Sequence, residues 1–559
     1  MKKLLAMLLC LVMVLSLFAA CGGDTDKDSD GDKTGDTNKI TIGIPQDMAV
    51  LNYDDNAYTK WLEEESGYDI EFVMYATNAG DYKSQLATAV LNEKEELPDI
   101  LWGFKGLGDG VWARYFEDEY FIDLTDYMMD KEGKAKEWWD RAAKLDPGYV
   151  DMIIRRCSTD DGRVVAFPRV EHTEIDTMDY MVFINQEWLT KLNLDMPTDR
   201  DSFYNVLKAF KSNDLTGNGD TKDERPLVGL DSNAVNWLIN MFIYNDTEKL
   251  FGLSEDGKAI TTPFTSDKYR EALKFIRKLV DEGLMENPYS VKGTDVTNWL
   301  NPQDGQPATV GIALGHPTLE FMYGNETVKQ YAAMPYWGSA ARNENQNTRG
   351  TFITEDAEDV DACWELLMLM ASEESAMRQR YGEYGKDWTD ADPGSKSYLG
   401  YDATYKILRD DAFSGKNNQT WHDIEATILI GAENEYAQYD ETIDPWQHAK
   451  NGLIRDIYNN FSKAEKENNP KYIMPVIYYD EDEDLLTENE RGNVTSVINS
   501  YRMKFISGTG AMDPSSNSDW KIYLGELQDN GLQTWLDQLQ RMYTEDGYYA
   551  KVMDGTAYT

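Results

Sequence analysis

The spacing of hydrophobic and polar positions near the start of the folded part predicts an alternation of strands and helices. Residues 39–44 (KITIGI) alternate as a strand and end at a proline. A helix is expected from about residue 56 to residue 66, a second strand at 69–75, a helix at 81–92 and a third strand at 97–102. Strands that alternate with helices in this way predict a parallel α/β sheet.

Three side chains follow the carboxyl ends of the first and third predicted strands. Gln46 and Asp47 come directly after the first strand, and Trp102 closes the third. Ligands of open α/β sheets bind beyond the carboxyl ends of the strands. We therefore expect Gln46, Asp47 and Trp102 at the edge of a ligand-binding cleft.

The N-terminus carries the pattern of a secretory signal. Two lysines precede an apolar run at residues 4–18, which is too short for a stable membrane span. The next residues, FAACG at 18–22, resemble the lipobox of bacterial lipoproteins, and this resemblance implies cleavage before Cys21 and acylation of its thiol. The alternative is an ordinary cleaved signal peptide with an incidental cysteine.

The lipoprotein interpretation gives the first 39 residues two roles. Residues 1–20 are the signal peptide, and residues 21–39 are the lipidated cysteine with a polar tether that is too poor in apolar side chains to fold. The protein would then be held through its lipid at the extracytoplasmic face of a bacterial cell membrane. No later stretch is apolar enough to cross a bilayer.

Charge and composition narrow the choice of partners. The chain has 559 residues, which indicates two or more domains, and a formal net charge of −46. Nucleic acid is excluded as a partner because its phosphates would be repelled. The aromatic fraction is 12%. The hydrophobic fraction is 41%, so a large core is feasible.

Motifs of catalysis and of redox chemistry are missing from the sequence. There is no GxSxG elbow, P-loop or HExxH motif. Apart from the signal region, the cysteines are Cys157 and Cys363, which we interpret as buried free thiols rather than one long-range disulfide. The sequence therefore predicts a protein that is not an enzyme and that has no organic cofactor.

Several segments in succession resemble family 1 extracellular solute-binding proteins of the oligosaccharide type, the substrate-binding lipoproteins of ABC transporters. These segments are residues 40–102, 161–168, 183–207, 308–316, 381–388, 505–508, 519–520 and 532–543. The resemblance implies a two-lobed periplasmic-binding-protein-like α/β fold whose ligand is clamped in a cleft between lobes joined by crossing strands.

The same resemblance implies lobes that are discontinuous in sequence. Lobe 1 is expected to comprise residues 40–172 plus 306–350, and lobe 2 residues 173–305 plus 351–559, although the C-terminal helices could also pack back on lobe 1. Crossings are expected near residues 168–180, 300–307 and 351–353.

A loop with oxygen-bearing side chains at alternate positions predicts a structural calcium site. Its candidate ligands are Asp214, Thr216, Asn218, Asp220, Asp223 and Glu224. Ca²⁺ takes six to eight oxygen ligands, and Gly219 in sixth position permits the sharp turn. An EF-hand loop would carry a bidentate Glu in twelfth position, where this chain has Arg225. The alternative is a polar loop that binds no ion.

The resemblance also extends the candidate ligand-binding residues to later segments. They are His316, Tyr336, Trp337, Tyr384 and Trp388, in addition to Gln46, Asp47 and Trp102. For each tryptophan, packing in the core is the competing interpretation. The implied function is capture of a carbohydrate, in particular an oligosaccharide, by a monomeric binding protein that delivers it to an ABC permease. The alternatives are a secreted glycoside hydrolase and a surface glycan sensor without a transport role.

Overall fold

A computed structural model gives the architecture of the chain. It describes residues 38–554, apart from residues 48–49, 92–95, 105–106, 108, 146, 160, 171–172, 176, 179, 247–249, 303–304, 316, 318–320, 322–325, 343–349, 409–417, 422–433, 440–444, 476, 478–480 and 546. The chain divides into residues 1–38 and 39–559, and the fold below is that of the second unit. The predictions for Cys21 and for His316 lie outside the described residues.

The first sheet confirms the predicted alternation of strands and helices. Its strands are β1 (Lys39–Pro45), β2 (Asp69–Tyr75), β3 (Ile100–Leu101) and β10 (Phe352–Ile353), in the order β10-β3-β1-β2. β1 is parallel to both β2 and β3, as predicted, whereas β10 returns antiparallel to β3.

The third strand is shorter than the sequence predicts, because two residues before it cannot join the ladder. Pro98 has no N–H to donate. The Asp99 carboxylate instead accepts hydrogen bonds from the backbone nitrogen and the hydroxyl of Thr41, at 2.6 and 2.5 Å. This side-chain contact fixes β1 beside β3 before regular pairing begins.

The second sheet is built from four strands in the order β5-β8-β4-β9. They are β4 (Val182–Asn185), β5 (Arg225–Gly229), β8 (Val310–Leu314) and β9 (Tyr331–Ala333). β5 and β8 are parallel, and β4 is antiparallel to both of its neighbours. The remaining strands form two small antiparallel pairs: β6 (Gly252–Leu253) with β7 (Ile260–Thr261), and β11 (Trp388–Asp390) with β12 (Tyr405–Ile407).

Helices cover both sheets. The first six are α1 (Ala57–Ser66), α2 (Ala79–Leu91), α3 (Asp109–Glu117), α4 (Thr125–Met128), α5 (Lys136–Ala142) and α6 (Pro147–Arg156). They are followed by α7 (Gln186–Leu192), α8 (Arg200–Lys211), α9 (Asp231–Asn240), α10 (Asp267–Asp281) and α11 (Gly293–Leu300). The C-terminal part contains α12 (Val360–Met370), α13 (Glu373–Tyr381), α14 (Pro445–Asn468), α15 (Glu481–Ser507), α16 (Asn517–Asp529), α17 (Leu532–Glu545) and α18 (Tyr548–Asp554).

Local sequence explains where the helices begin and end. The Asn56 side chain accepts a hydrogen bond from the backbone of Tyr58 and so caps α1, which ends at Gly67 in the left-handed conformation (φ +74°). Asp199 and Ser202 form a reciprocal capping box at the start of α8. Capping satisfies N–H groups that have no partner within the helix.

Two separate hydrophobic cores correspond to two lobes. The first core joins side chains from residues 40–170, 352–371 and Trp421. The second joins side chains from residues 175–340 with those of the C-terminal helices up to residue 539. The two-lobed α/β fold is therefore present.

Membership of the sheets corrects the lobe boundaries that the sequence predicts. Residues 306–350 are expected in lobe 1, but the strands β8 and β9 within this range pair with β4 and β5 of the second sheet. β10 and α12, expected in lobe 2, belong to the first core. The reason is that β8 and β9 pair antiparallel with opposite edges of β4, so the chain stays in the second sheet until β9 ends.

The connections between the cores also differ from expectation at one point. The chain passes from the first core to the second between Val170 and Ile175, and it returns between Ala340 and Phe352. The crossing expected at residues 300–307 is wrong, because the residues on both sides of it, Leu300 and Ala308, lie in the second core. Among the helices of the described residues, none is long and apolar enough to cross a membrane.

Candidate ligand-binding site and calcium loop

The turn after β1 is held by the Gln46 side chain. Gln46 Nε2 donates to the backbone oxygens of Asp47 and Val50, at 2.7 and 3.2 Å. Its backbone nitrogen donates to Tyr75 at the end of β2, at 2.9 Å. The Gln46 side chain therefore shapes the edge of the first sheet, and its amide nitrogen is already committed to the protein backbone.

Asp47 lies beside an aromatic group at the same edge. Its backbone nitrogen donates to the Tyr53 hydroxyl at 3.2 Å, and its side chain is partly exposed. The Tyr53 ring lies 5.3 Å from Phe72 and 5.8 Å from Trp421. Burial raises the pKa of Tyr53, so its hydroxyl keeps its proton. The protonated Tyr53 hydroxyl is therefore held next to the backbone of Asp47.

Trp102 does not present a surface for stacking. Its side chain is 1% exposed, and its ring packs edge-on against Trp421 at 6.1 Å. The expectation that its indole is a sugar-stacking platform is corrected by this burial. The indole nitrogen is buried without a hydrogen-bond partner among the described residues.

Tyr336 and Trp337 follow the end of β9 and face the core of the second lobe. The buried Tyr336 hydroxyl donates to the Tyr180 backbone oxygen at 2.9 Å. Trp337 is half-buried, with its ring 5.7 Å from Trp237 and 5.8 Å from Phe203. The Tyr336 side chain is therefore buried in the core, whereas part of the Trp337 ring remains accessible.

Tyr384 is the most exposed of the predicted aromatic residues. Its side chain is 47% exposed, its hydroxyl donates to Asp390 at 3.0 Å, and its ring lies 4.9 Å from Trp388 in an edge-on arrangement. Trp388 itself is buried and donates from its indole nitrogen to the Gly382 backbone at 2.9 Å. Trp388 thus supports Tyr384, which alone of the two offers a ring to solvent.

The predicted ligand residues fall into three groups. Gln46, Asp47 and Trp102 meet around Tyr53 and Trp421 in the first lobe. Tyr336 and Trp337 pack in the second lobe, whereas Trp388 belongs to a small core with Tyr381 and Tyr405, and the exposed Tyr384 ring lies against Trp388. Trp421 is absent from the sequence predictions because its neighbours, NNQTWH, show no periodicity that would mark it as buried.

An ion-pair network joins two of the segments that connect the cores to the long helix α14. Arg342 donates to Glu465 at 2.7 and 3.0 Å, and to Glu174 at 2.8 Å. Burial alone would lower the pKa of Arg342, but its hydrogen bonds to Glu465 and the charge of Glu174 raise it above its ordinary value. Three segments that are distant in sequence are therefore linked by one guanidinium group.

The loop after α8 folds around the Asp214 carboxylate. Asp214 accepts hydrogen bonds from the backbone nitrogens of Gly217 and Gly219, at 2.7 and 2.8 Å. Both glycines have positive φ, which turns their N–H groups toward this carboxylate. Bonds from Gly219, above all, lower the pKa of Asp214. The Asn218 oxygen accepts from the Asp220 backbone at 2.8 Å.

Oxygen atoms from both ends of this loop converge. The Thr216 hydroxyl lies 3.4 Å from an Asp214 oxygen and 3.2 Å from a Glu224 oxygen. One oxygen of Asp223 and one of Glu224 are buried and have no hydrogen-bond partner. Two unpaired buried carboxylate oxygens fit a calcium site, because a cation would satisfy both.

Other features of the described residues give no second candidate. Outside the masked ranges, no group of three or more His, Cys, Asp or Glu side chains is arranged for a metal ion, so the loop depends on its hydroxyl, amide and backbone oxygens. An open depression between β9 and α14, lined in part by Tyr331, Leu453 and Asp456, contains none of the predicted ligand residues.

Comparison with known proteins supports the interpretation of the fold. No protein-family model matches the chain. The chain is 28% identical over 257 residues to the fructooligosaccharide ABC transporter substrate-binding protein FusA of Streptococcus pneumoniae. This alignment covers 42% of the chain and 44% of FusA. The chain is also 28% identical over 308 residues to lipoprotein LipO of Bacillus subtilis, 54% of each chain. The chain thus spans about half the length of the curated relatives it matches.

Solved structures extend the likeness to the whole folded part. A human-milk-oligosaccharide (HMO)-binding solute-binding protein of Bifidobacterium longum infantis aligns over 90% of this chain and 98% of its own, with a TM-score of 0.70 and 20% identity. The chain shares the two-lobed fold of this solute-binding protein. An EF-hand mutant of FusA in complex with fructo-nystose aligns over 92% of this chain and all of its own, with a TM-score of 0.70 and 18% identity.

Proposed function

We propose that this protein binds an oligosaccharide outside the cytoplasm and presents it to an ABC importer. The observation that carries the proposal is the two-lobed fold, which aligns over nine-tenths of the chain with solute-binding proteins that bind oligosaccharides. The sequence relative FusA, named for fructooligosaccharides, points to the same class of ligand. FusA is named a substrate-binding protein, which supports binding rather than catalysis.

The proposed ligand contacts are those that the structure leaves accessible. In the first lobe the partly exposed Asp47 would accept hydrogen bonds from sugar hydroxyls. The exposed ring of Tyr384, supported by Trp388, would stack on a sugar face. Half-buried Trp337 would contribute a ring edge from the second lobe. Trp102 would act indirectly, because it packs beneath Asp47 through Trp421 and Tyr53.

A glycan screen by thermal shift tests this proposal. A fructooligosaccharide series and a set of unrelated oligosaccharides would be added to the protein without its signal and tether. A ligand at a hundred times its Kd adds about 2.7 kcal/mol of stability, which is readily detected. Asp47→Ala should weaken the binding of any hit, whereas Asp54→Ala, an exposed aspartate in the same segment, should not.

Two outcomes would contradict the proposal. If no oligosaccharide shifts the melting temperature while another class of ligand does, the ligand class is wrong. If a bound glycan is recovered as shorter fragments, the protein is a hydrolase rather than a binding protein.

We further propose that the protein is anchored at the membrane surface through Cys21. The lipobox-like FAACG sequence and the relative named lipoprotein LipO support this proposal. Two acyl chains suffice for stable anchoring. Cys21→Ser should move the protein from the membrane fraction to the medium. Retention of the processed variant in the membrane fraction would show that this cysteine is not the anchor.

The loop from Asp214 to Glu224 is proposed to hold a structural Ca²⁺. The unpaired oxygens of Asp223 and Glu224 and the EF-hand named for FusA support it. Asp214, Thr216, Asn218 and Asp220 would supply further oxygens from the same loop. The ion would neutralise carboxylates at both ends of the loop and so fix the connection between α8 and β5.

A further inference from the structure

A buried guanidinium without a carboxylate partner lies inside the second lobe, away from the proposed ligand contacts. Arg502, on α15, is 7% exposed. It donates to the side-chain oxygens of Asn236 and Asn499, at 3.2 and 2.7 Å. Within the described part of the chain, no acidic side chain forms an ion pair with Arg502. A full positive charge is thus held in the interior by two neutral amide oxygens.

Three hydrogen-bond donors around this charge lack a partner among the described residues. They are Arg502 Nε, Asn236 Nδ2 and the Tyr269 hydroxyl, each on a side chain at least nine-tenths buried. The charge of Arg502 reaches Tyr269, since it opposes the rise in the pKa of Tyr269 that burial causes. Three helices, α9, α10 and α15, each bring one donor to this region.

A different choice of amide orientation does not remove the mismatch. Turning the Asn236 and Asn245 amides together would let Asn236 Nδ2 donate to Asn245 Oδ1, but it would also point Asn236 Nδ2 at the guanidinium, which can only donate. The Asn240 amide is fixed independently by the backbones of Asn236 and Asn245, at 3.0 and 2.9 Å. The donors of Asn236 and Arg502 therefore remain without acceptors.

We propose that this cluster binds a small monovalent anion of the halide class between α9, α10 and α15. A water molecule could accept two of these hydrogen bonds, and its own hydrogen could reach the unpaired oxygen of Asn245. Water would nevertheless leave the buried charge uncompensated, which is unfavourable in the protein interior. An anion accepts from all three donors and neutralises the charge. The net charge of −46 does not prevent this, because the site is enclosed by protein.

Crystallography with bromide tests the site directly. Crystals of the folded part, grown or soaked in sodium bromide, should show an anomalous peak within hydrogen-bond distance of Arg502 Nε. A peak of ordinary density without anomalous signal at that position would identify a water molecule and would overturn the proposal.

Thermal unfolding gives a second test that needs no crystals. At equal concentration, fluoride stabilises proteins generally more than chloride does, because it is excluded from the surface. The site predicts the opposite order, with a melting temperature at least about 2 °C higher in sodium chloride than in sodium fluoride. Equal melting temperatures, or a higher value in fluoride, would overturn the proposal.

Two conservative variants separate the site from general packing. Tyr269→Phe removes one donor and keeps the ring, so it should reduce the difference between chloride and fluoride by at least half. Tyr523→Phe is the matched control, since this buried neighbour already donates to the Phe264 backbone at 3.2 Å. It should keep the full difference even if it lowers stability. An unchanged difference in Tyr269→Phe would show that its hydroxyl faces no anion.

Discussion

At the scale of single residues, burial divides the candidate aromatic side chains into two groups with opposite expected effects. Trp102→Ala should lower the free energy of unfolding by about 3–5 kcal/mol, because it removes a fully buried ring from the first core. Tyr384→Ala should change stability by less than about 1 kcal/mol and should weaken oligosaccharide binding instead. Urea unfolding and ligand titration of both variants measure the two effects.

The control for this comparison is Tyr384→Phe, which keeps the ring and loses only the hydrogen bond to Asp390. If stacking is the contribution of Tyr384, the Phe variant should retain most of the affinity. A stable Trp102→Ala protein that has lost its ligand would reverse the assignment and return Trp102 to the cleft.

The two cysteines of the folded part provide a residue-scale test of packing. Cys157 and Cys363 are both buried and are not joined in a disulfide, which confirms the interpretation of the sequence. Burial raises the pKa of Cys363 to about 12, so its reactive thiolate is scarce at pH 8. We expect a thiol reagent to label neither cysteine in the native protein without its signal and Cys21, and both after denaturation. Rapid labelling under native conditions would show that the first core opens readily.

The sequence could predict the strand ends that carry Gln46 and Asp47, because their position follows from local periodicity. It could not predict whether Trp102 faces solvent or core. Trp102 packs against Trp421, which is more than 300 residues away in the sequence and contacts Trp102 only after folding. Exposure of an aromatic residue at a strand end is thus a tertiary property.

At the scale of elements, the Asp214 loop should make stability depend on calcium. Chelation should lower the melting temperature without abolishing the fold, and Asp214→Ala should remove this sensitivity. The folded-state pKa of Asp214 is lowered, so the stabilisation from its hydrogen bonds is present above its ordinary pKa of 3.8 and is lost as the pH falls through the lower folded value. Calorimetry with and without chelator measures the effect.

Asp256 offers a matched control in another exposed turn. It also accepts local hydrogen bonds, from the Ser254 hydroxyl and the Lys258 backbone, and its pKa is lowered by them. Asp256→Ala should leave the response to chelator intact. If chelation has no effect on the parent protein, the loop is held by its hydrogen bonds alone.

The crossing segments depend on a second element-scale contact, the network of Arg342. Removing one partner of a buried ion pair leaves the remaining charge unpaired, which typically lowers the free energy of unfolding by about 3–5 kcal/mol. The Arg342 group is partly solvated, so Arg342→Met should cost about 2 kcal/mol or more in urea unfolding. Lys136→Met, which breaks the exposed pair with Asp140, should leave the free energy of unfolding nearly unchanged. Equal costs would mean that solvent screens Arg342 as well.

Element order and parallel pairing in the first sheet were predictable, because strand and helix periodicities are local. The placement of β8 and β9 in the second sheet was not predictable. Each of the three pairings that place them there connects strands more than 80 residues apart in the sequence. Hydrophobic strands such as β8 (VGIAL) are buried on both faces and fit either sheet equally well by composition.

At the scale of the whole molecule, the two cores are joined by crossing segments, so a ligand held between the lobes would couple them. Without ligand, each core is stabilised by its own contacts, and the lobes can lose structure at different temperatures. A ligand that contacts both lobes binds only when both are folded, so its free energy stabilises them together.

We therefore expect saturating oligosaccharide to raise the unfolding temperature of both lobes and to narrow any separation between their transitions. Differential scanning calorimetry measures the temperatures of both transitions. In Asp47→Ala the first-lobe contact is weakened, so the same concentration of ligand should shift both transitions less. A shift confined to one lobe would place the ligand within that lobe rather than between the two.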